Sequence, residues 1–192
     1  MGATRTTREQ WVEAGLRALA DGGPDAVRVE ALAKARGVTK GGFYGSFADR
    51  EALLEAMLDT WERESTDEVL ARVEQAGGDA RARITRAGLL TFSSDRLRPI
   101  DLAVRDWARR DACVAERLRR VDNRRMGLLR ELIGMLREDA DEQEVEARSL
   151  LAFCLAIGAE FLAADHGDRT RSQVVSRAAD LLFGQEAPEA SP

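Results

Sequence analysis

Thr39, Lys40 and Tyr44 place an aliphatic hydroxyl, an ammonium and a phenol in one short segment. These groups suit nucleic acid. A threonine or tyrosine hydroxyl donates to a phosphate oxygen, and a lysine reaches a phosphate or the edge of a guanine. Gly41 and Gly42 lie between them and let the backbone approach a partner closely. Arg28 upstream and Arg50 downstream add two cations. Of the 29 Lys and Arg residues only Lys34 and Lys40 are lysines, and both fall in this region with the only tyrosine.

The surrounding pattern supplies the elements that would position these groups. Val29, Leu32 and Ala33 mark the inner face of a short helix over 29–36, and Gly37 breaks it. Thr39 then stands as the N-cap of a second short helix, from Lys40 to Phe43 or Ser46. Helix, tight turn and helix together read as a helix-turn-helix. Gly41, Gly42 and Gly45 each weaken the second helix by roughly 1 kcal/mol relative to alanine, so it holds only if packed.

Every other segment is also helical in pattern. Thr7 and Gln10 form a capping box for helix one, which Asp21-Gly22-Gly23-Pro24 ends. Ala48-Asp49 opens helix four, whose stripe is Leu53, Leu54, Met57, Leu58 and Trp61 and which continues to about Gln75. Helix five is expected over 80–93, and helix six, with Pro99 in its first turn, ends near Arg110. Helix seven runs from a cap at Asp111 to about Glu138, helix eight over 142–164 and helix nine over 170–183. The fold class is therefore all-α, with about nine helices. The domains read as residues 1–61, 62–184 and a disordered tail, 185–192.

Composition bounds the function. The chain has 192 residues, a net charge of −5, 44% apolar residues and 33% charged residues. Residues 1–60 carry eight Lys and Arg against nine Asp and Glu. That balance argues against strong non-specific adhesion to nucleic acid, while leaving room for one positive face. Cys113 and Cys154 form no motif and fit a reducing cytoplasm as small apolar core residues. No segment reads as a secretion signal or a membrane span, so the expected location is cytoplasmic.

Residues 6–61 resemble the DNA-binding domain of the tetracycline-repressor (TetR) family of bacterial transcription regulators. The resemblance rests on Ala14, Gly23-Pro24, Val29, Leu32-Ala33, Gly37-Val38-Thr39-Lys40-Gly41, Phe43-Tyr44, Phe47 and Asp49-Arg50-Glu51-Ala52-Leu53-Leu54. It implies that Thr39, Lys40, Gly41, Gly42, Tyr44, Arg50 and Arg28 face DNA, with Phe43 and Phe47 in the core. Two departures bear on readout. Val29 stands where the family often has Thr or Ser, and Gly42, Gly45 and Ser46 stand where many members carry larger side chains. Fewer base contacts and more reliance on phosphates and DNA shape follow.

The resemblance also implies a C-terminal ligand-binding and dimerisation domain. Its dimer would use helices eight and nine, here Leu151, Leu155, Gly158, Ala159, Val175 and Leu182. The run Leu150 to Ala159 is apolar on every side and independently calls for burial on every side. A homodimer would read a pseudo-palindromic operator in double-stranded DNA. An unidentified small-molecule effector would release it, and Trp61, Phe92, Trp107, Met126 and Phe153 are the candidate lining of its pocket. No cofactor, metal site or catalytic residue is expected, and His166 has no partner at ligand spacing. The rival readings are a helical dimer of the same fold that has lost DNA binding and, more remotely, an enzyme.

Overall fold

The computed structural model describes residues 6–184. Among them the chain forms α1 (Arg8–Gly22), a 3-10 turn (Pro24–Ala26), α2 (Val29–Ala35) and α3 (Lys40–Tyr44). The next helix, α4, runs over Arg50–Arg63, passes through a π-helical turn at Glu64–Glu68 and continues over Val69–Ala76. There follow α5 (Ala80–Phe92), α6 (Leu97–Ala108), α7 (Ala112–Leu136), α8 (Glu142–Phe161) and α9 (Arg171–Phe183). No strand occurs among the described residues. The expected tail, 185–192, lies outside them.

The caps explain most of the boundaries. The Thr7 and Thr170 side chains each accept from the backbone three residues on and are bonded back by Gln10 and Gln173, two complete capping boxes. Asp49, Asp111 and Asp141 accept from first-turn amides of α4, α7 and α8. Two helix ends differ from the sequence reading. The sixth helix stops at Ala108, short of Arg110. Helix eight stops at Phe161 rather than 164, because Leu162 turns to extended backbone. Arg171 then donates to the Ala159 carbonyl at 2.9 Å, satisfying a group that the helix end leaves open. His166 consequently sits in the loop between α8 and α9. The π turn in α4 was not visible in the apolar stripe. There Thr66 returns its hydroxyl to the Glu62 carbonyl at 2.7 Å, a local bond that competes with the regular ladder.

By packing, the chain divides into two units. The first runs to Ala71 and resumes over Ser93–Asp122; the second comprises Arg72–Phe92 and the chain from Asn123. In the first unit α1 packs on both α4 and α6. Trp11, Leu16, Leu19, Phe43, Leu53, Met57 and Trp61 are essentially solvent-free there. A buried polar chain crosses this core: Trp61 Nε1 donates to Asp101 at 3.3 Å, Arg105 Nε donates to Asp101 at 2.9 Å, and the Arg105 guanidinium forks onto Asp122.

In the second unit Ile84, Leu132 and Ile133 form the core, lined by Leu128, Leu129, Leu136, Val145 and Phe183. Along α8 only Ser149 is fully buried, despite the apolar sequence. Leu150 and Leu151 are more than half exposed. Both cysteines are exposed too, not the core residues that composition suggested. Cys113 lies in the first turn of α7 and Cys154 on the uncovered side of α8.

Candidate nucleic-acid interface

The turn between α2 and α3 is set by Gly37, whose φ of 66° lies in the left-handed region that side chains disfavour. Beyond it the Val38 amide returns to the Ala33 carbonyl at 3.0 Å, closing the end of α2. Thr39 then takes the extended N-cap conformation of α3. Its hydroxyl makes no capping bond, contrary to the sequence expectation. That leaves the hydroxyl on the surface as an uncommitted donor.

One side chain anchors α3. Phe43 is fully buried, edge-on to Trp11 at 5.4 Å and stacked on Phe47 at 5.6 Å. The Arg8 guanidinium lies over the outer Phe47 ring at 4.8 Å, a cation–π contact that seals this cluster. Anchoring from one side turns the opposite side of α3 outward. Thr39, Lys40, Gly41, Gly42 and Tyr44 are all exposed, and Tyr44 is 59% exposed despite its edge contact with Phe43. An alanine Cβ at Gly42 would meet nothing within 4 Å. The fold therefore does not explain that glycine.

The cations around this face have different commitments. Lys40 Nζ pairs with Glu30 of α2 at 2.5 Å. Arg28 Nε donates to the Asp25 carbonyl at 3.0 Å. Arg50 Nε donates to the Val27 carbonyl at 2.7 Å and Nη2 to the Pro24 carbonyl at 2.5 Å. These carbonyl bonds hold both guanidiniums against the turn that leads into α2, and Arg50 Nη1 also pairs with Glu51 at 3.0 Å. Lys34, in the last turn of α2, is exposed.

Sequence reasoning missed Glu30. Its only signal was a carboxylate in the first turn of α2, which reads equally as ordinary helix-terminus chemistry.

The five residues named as pocket lining do not share one environment. Trp61 and Trp107 are buried in the first unit, Trp61 held by Asp101. Phe92, Met126 and Phe153 belong to the second unit. There Phe92 and Phe153 meet edge-on at 6.3 Å, and Arg125, beside Met126 in sequence, lies over the Phe92 ring at 5.7 Å. The arginines of α7 at 117, 119 and 120 are all engaged with carboxylates: Arg117 with Asp59 and Glu62, Arg119 with Glu116, and Arg120 with Glu62. No group of three His, Cys, Asp or Glu among the described residues has the spacing to hold a metal ion.

Residues 12–57 match the profile of bacterial regulatory proteins, tetR family, and so span the helix-turn-helix just described. A putative TetR-family transcriptional regulator from Rhodococcus sp. is 27% identical, with a TM-score of 0.61 over 92% of this chain and 98% of that one. The match covers the helix-turn-helix segment, where this chain is similar to the tetR family of transcription regulators. Members of that family are transcription regulators and not enzymes, and their helix-turn-helix is the DNA-binding element. AibR, solved in complex with isovaleryl coenzyme A and operator DNA, shares the fold at 16% identity and a TM-score of 0.67, covering 93% of this chain and 99% of that one. The superantigen PfiT also shares the tetR fold, at 14% identity and a TM-score of 0.68 over 94% of this chain and 97% of that one. At such identities the likeness is of fold alone. No curated protein matches the chain. No helix among the described residues is long and apolar enough to cross a membrane.

Proposed function

We propose that the chain is a homodimeric repressor that binds a pseudo-palindromic operator and is released from it by a small molecule. The observation that carries the DNA contacts is the one-sided anchoring of α3. Phe43 fixes the helix from within, and Thr39, Lys40, Gly41, Gly42 and Tyr44 present a hydroxyl, an ammonium, bare backbone and a phenol outward. Thr39 and Tyr44 donate to phosphates, Lys40 to a phosphate or a guanine edge, and Arg28 and Arg50 border the same face. Small residues at 42, 45 and 46 leave few side chains for base edges, so DNA shape carries much of the specificity.

The dimer reading rests on α8 and α9. Leu151 and Leu181 are 57% and 70% exposed, and Leu155, Gly158, Ala159, Val175 and Leu182 are only partly covered. An apolar helix left this open calls for a second copy. For the effector, Phe92, Met126 and Phe153 are the better lining, because Trp61 and Trp107 already serve the core of the first unit. AibR, bound to both isovaleryl coenzyme A and operator DNA, is a precedent for one protein of this fold taking both kinds of partner.

Selection of duplexes from a randomised pool, followed by band-shift titration and sedimentation, tests the reading. The expected outcome is a pseudo-palindrome bound by two subunits, with half-sites about 34–36 Å apart or a multiple of that. A monomer in solution, or a selection that enriches nothing at low salt, sinks it. In that case the fold serves another purpose, as it does in PfiT.

A further inference from the structure

The Lys40–Glu30 pair links the first residue of α3 to the second residue of α2 across the turn. Its side chains are 55% and 64% exposed, so it belongs to the surface and not to the core. It is also not what joins the two helices. Buried Leu32, Ala33 and Phe43 and the Val38 to Ala33 hydrogen bond do that. Yet it occupies the one ammonium that α3 carries. The hydrogen bond from Lys40, followed by a hydrogen bond to its own backbone, holds the Glu30 carboxyl below the ordinary carboxylate range. Glu30 is therefore a full negative charge throughout the neutral range.

A carboxylate bound to a lysine resembles a phosphate bound to a lysine. Both are oxyanions, and each satisfies the same ammonium by charge-assisted hydrogen bonds. DNA can engage Lys40 only by displacing Glu30 or by accepting it as a neighbour. Displacement exchanges one ion pair for another, so Lys40 contributes far less than a solvated lysine would. Acceptance leaves an anion beside the phosphates.

We propose that Glu30 is an intramolecular stand-in for a DNA phosphate, which competes for Lys40 and lowers the affinity of the protein for any duplex. The inference rests on the reading that α3 faces DNA. Its consequence is a chain that releases non-operator DNA readily, in keeping with the near-neutral charge of residues 1–60. Counterion release gives it a distinctive mark. A lysine already neutralised by Glu30 adds little to the salt dependence of binding. A lysine freed from Glu30 neutralises a phosphate outright and steepens the slope of log K against log salt by about 0.9.

The test measures binding of the full chain and of Glu30→Gln, Lys40→Gln and the double variant. Two duplexes serve as probes, one recovered by selection with the wild-type protein and one unrelated. Glu30→Gln is expected to bind both duplexes about three- to fivefold more tightly, the scale of one exposed ion pair, with the steeper slope. In the Lys40→Gln background most of that gain disappears. Glu30→Ala serves as the second substitution and is expected to act in the same direction, which a merely structural role would not produce. Wild-type protein that binds while Glu30→Gln matches it in affinity and slope, or binds more weakly, overturns this inference and leaves the DNA reading intact. Wild-type protein that binds neither duplex at low salt overturns the DNA reading and this inference together.

Discussion

Arg50 Nε lies 2.7 Å from the carbonyl oxygen of Val27, and its Nη2 reaches the Pro24 carbonyl at 2.5 Å. The first residue of α4 thereby holds the turn from which α2 starts. The family resemblance alone makes Arg50 a phosphate contact; the geometry gives it structural work as well. Truncation to methionine keeps much of the stem but leaves the part-buried Val27 carbonyl unanswered, while Pro24 keeps its bond from the Val27 amide, at a cost of about 1–3 kcal/mol. Arg50→Met is expected to lower the urea midpoint accordingly, and to weaken DNA binding even after correction for the unfolded fraction. Unchanged stability with lost binding would make Arg50 a phosphate contact only.

The Asp101 carboxylate is 1% exposed and takes hydrogen bonds from Trp61 and Arg105. Removing its charge takes from the buried Arg105 guanidinium one of the carboxylates that balance it. Breaking a buried pair in this way costs about 3–5 kcal/mol. Asp101→Leu is expected to unfold early in a denaturant titration. Trp61→Phe, which loses one neutral donor and some contact area, is expected to cost about 1–3 kcal/mol. If Trp61→Phe instead leaves stability alone and abolishes an effector response, Trp61 lines the pocket after all.

The fold was legible where it depended on local chemistry. Thr7 with Gln10 announces a helix start by spacing alone, and Gly37 announces the turn. The burial of Phe43 and Phe47 was legible only through the family resemblance, which places both in the core. What sequence could not give was pairing across distance. Glu30 sits ten residues from Lys40 and Asp101 forty from Trp61, separations that no helical period encodes. For that reason the buried carboxylate partner of Trp61 was invisible in the sequence. The π turn was hidden because Thr60 and Thr66, which bend their hydroxyls back onto α4, occupy positions where any helix would tolerate them.

Acid stability follows from Glu13. Burial raises the proton affinity of this carboxyl, but the hydrogen bond and charge of Arg96, with help from Arg17, more than reverse it. Its folded pKa therefore lies below the ordinary value of 4.5. A depressed acid stabilises the fold fully above the unfolded value, and that contribution fades as pH falls through the folded one. The wild type is expected to lose stability on acidification from pH 4.5 downward. Glu13→Gln, already lacking the contribution, is expected to lose less over the same range. Urea midpoints for both proteins at neutral pH and below 4.5 decide it, and parallel curves reject the assignment.

Gly42 gives the sharpest separation of folding from function. It lies on the exposed side of α3, its φ is not positive, and a Cβ there would meet nothing within 4 Å. Helix propensity alone then makes Gly42→Ala stabilising by up to about 1 kcal/mol. If the glycine exists to bring backbone against a groove wall, the added methyl intrudes on DNA and on nothing else. The variant is expected to melt higher and to bind a selected operator at least tenfold more weakly, with the salt dependence unchanged because no charge is altered. Higher stability with undiminished binding would show that α3 keeps its distance from the groove at this point. The contact would then fall to Thr39, Lys40 and Tyr44 alone.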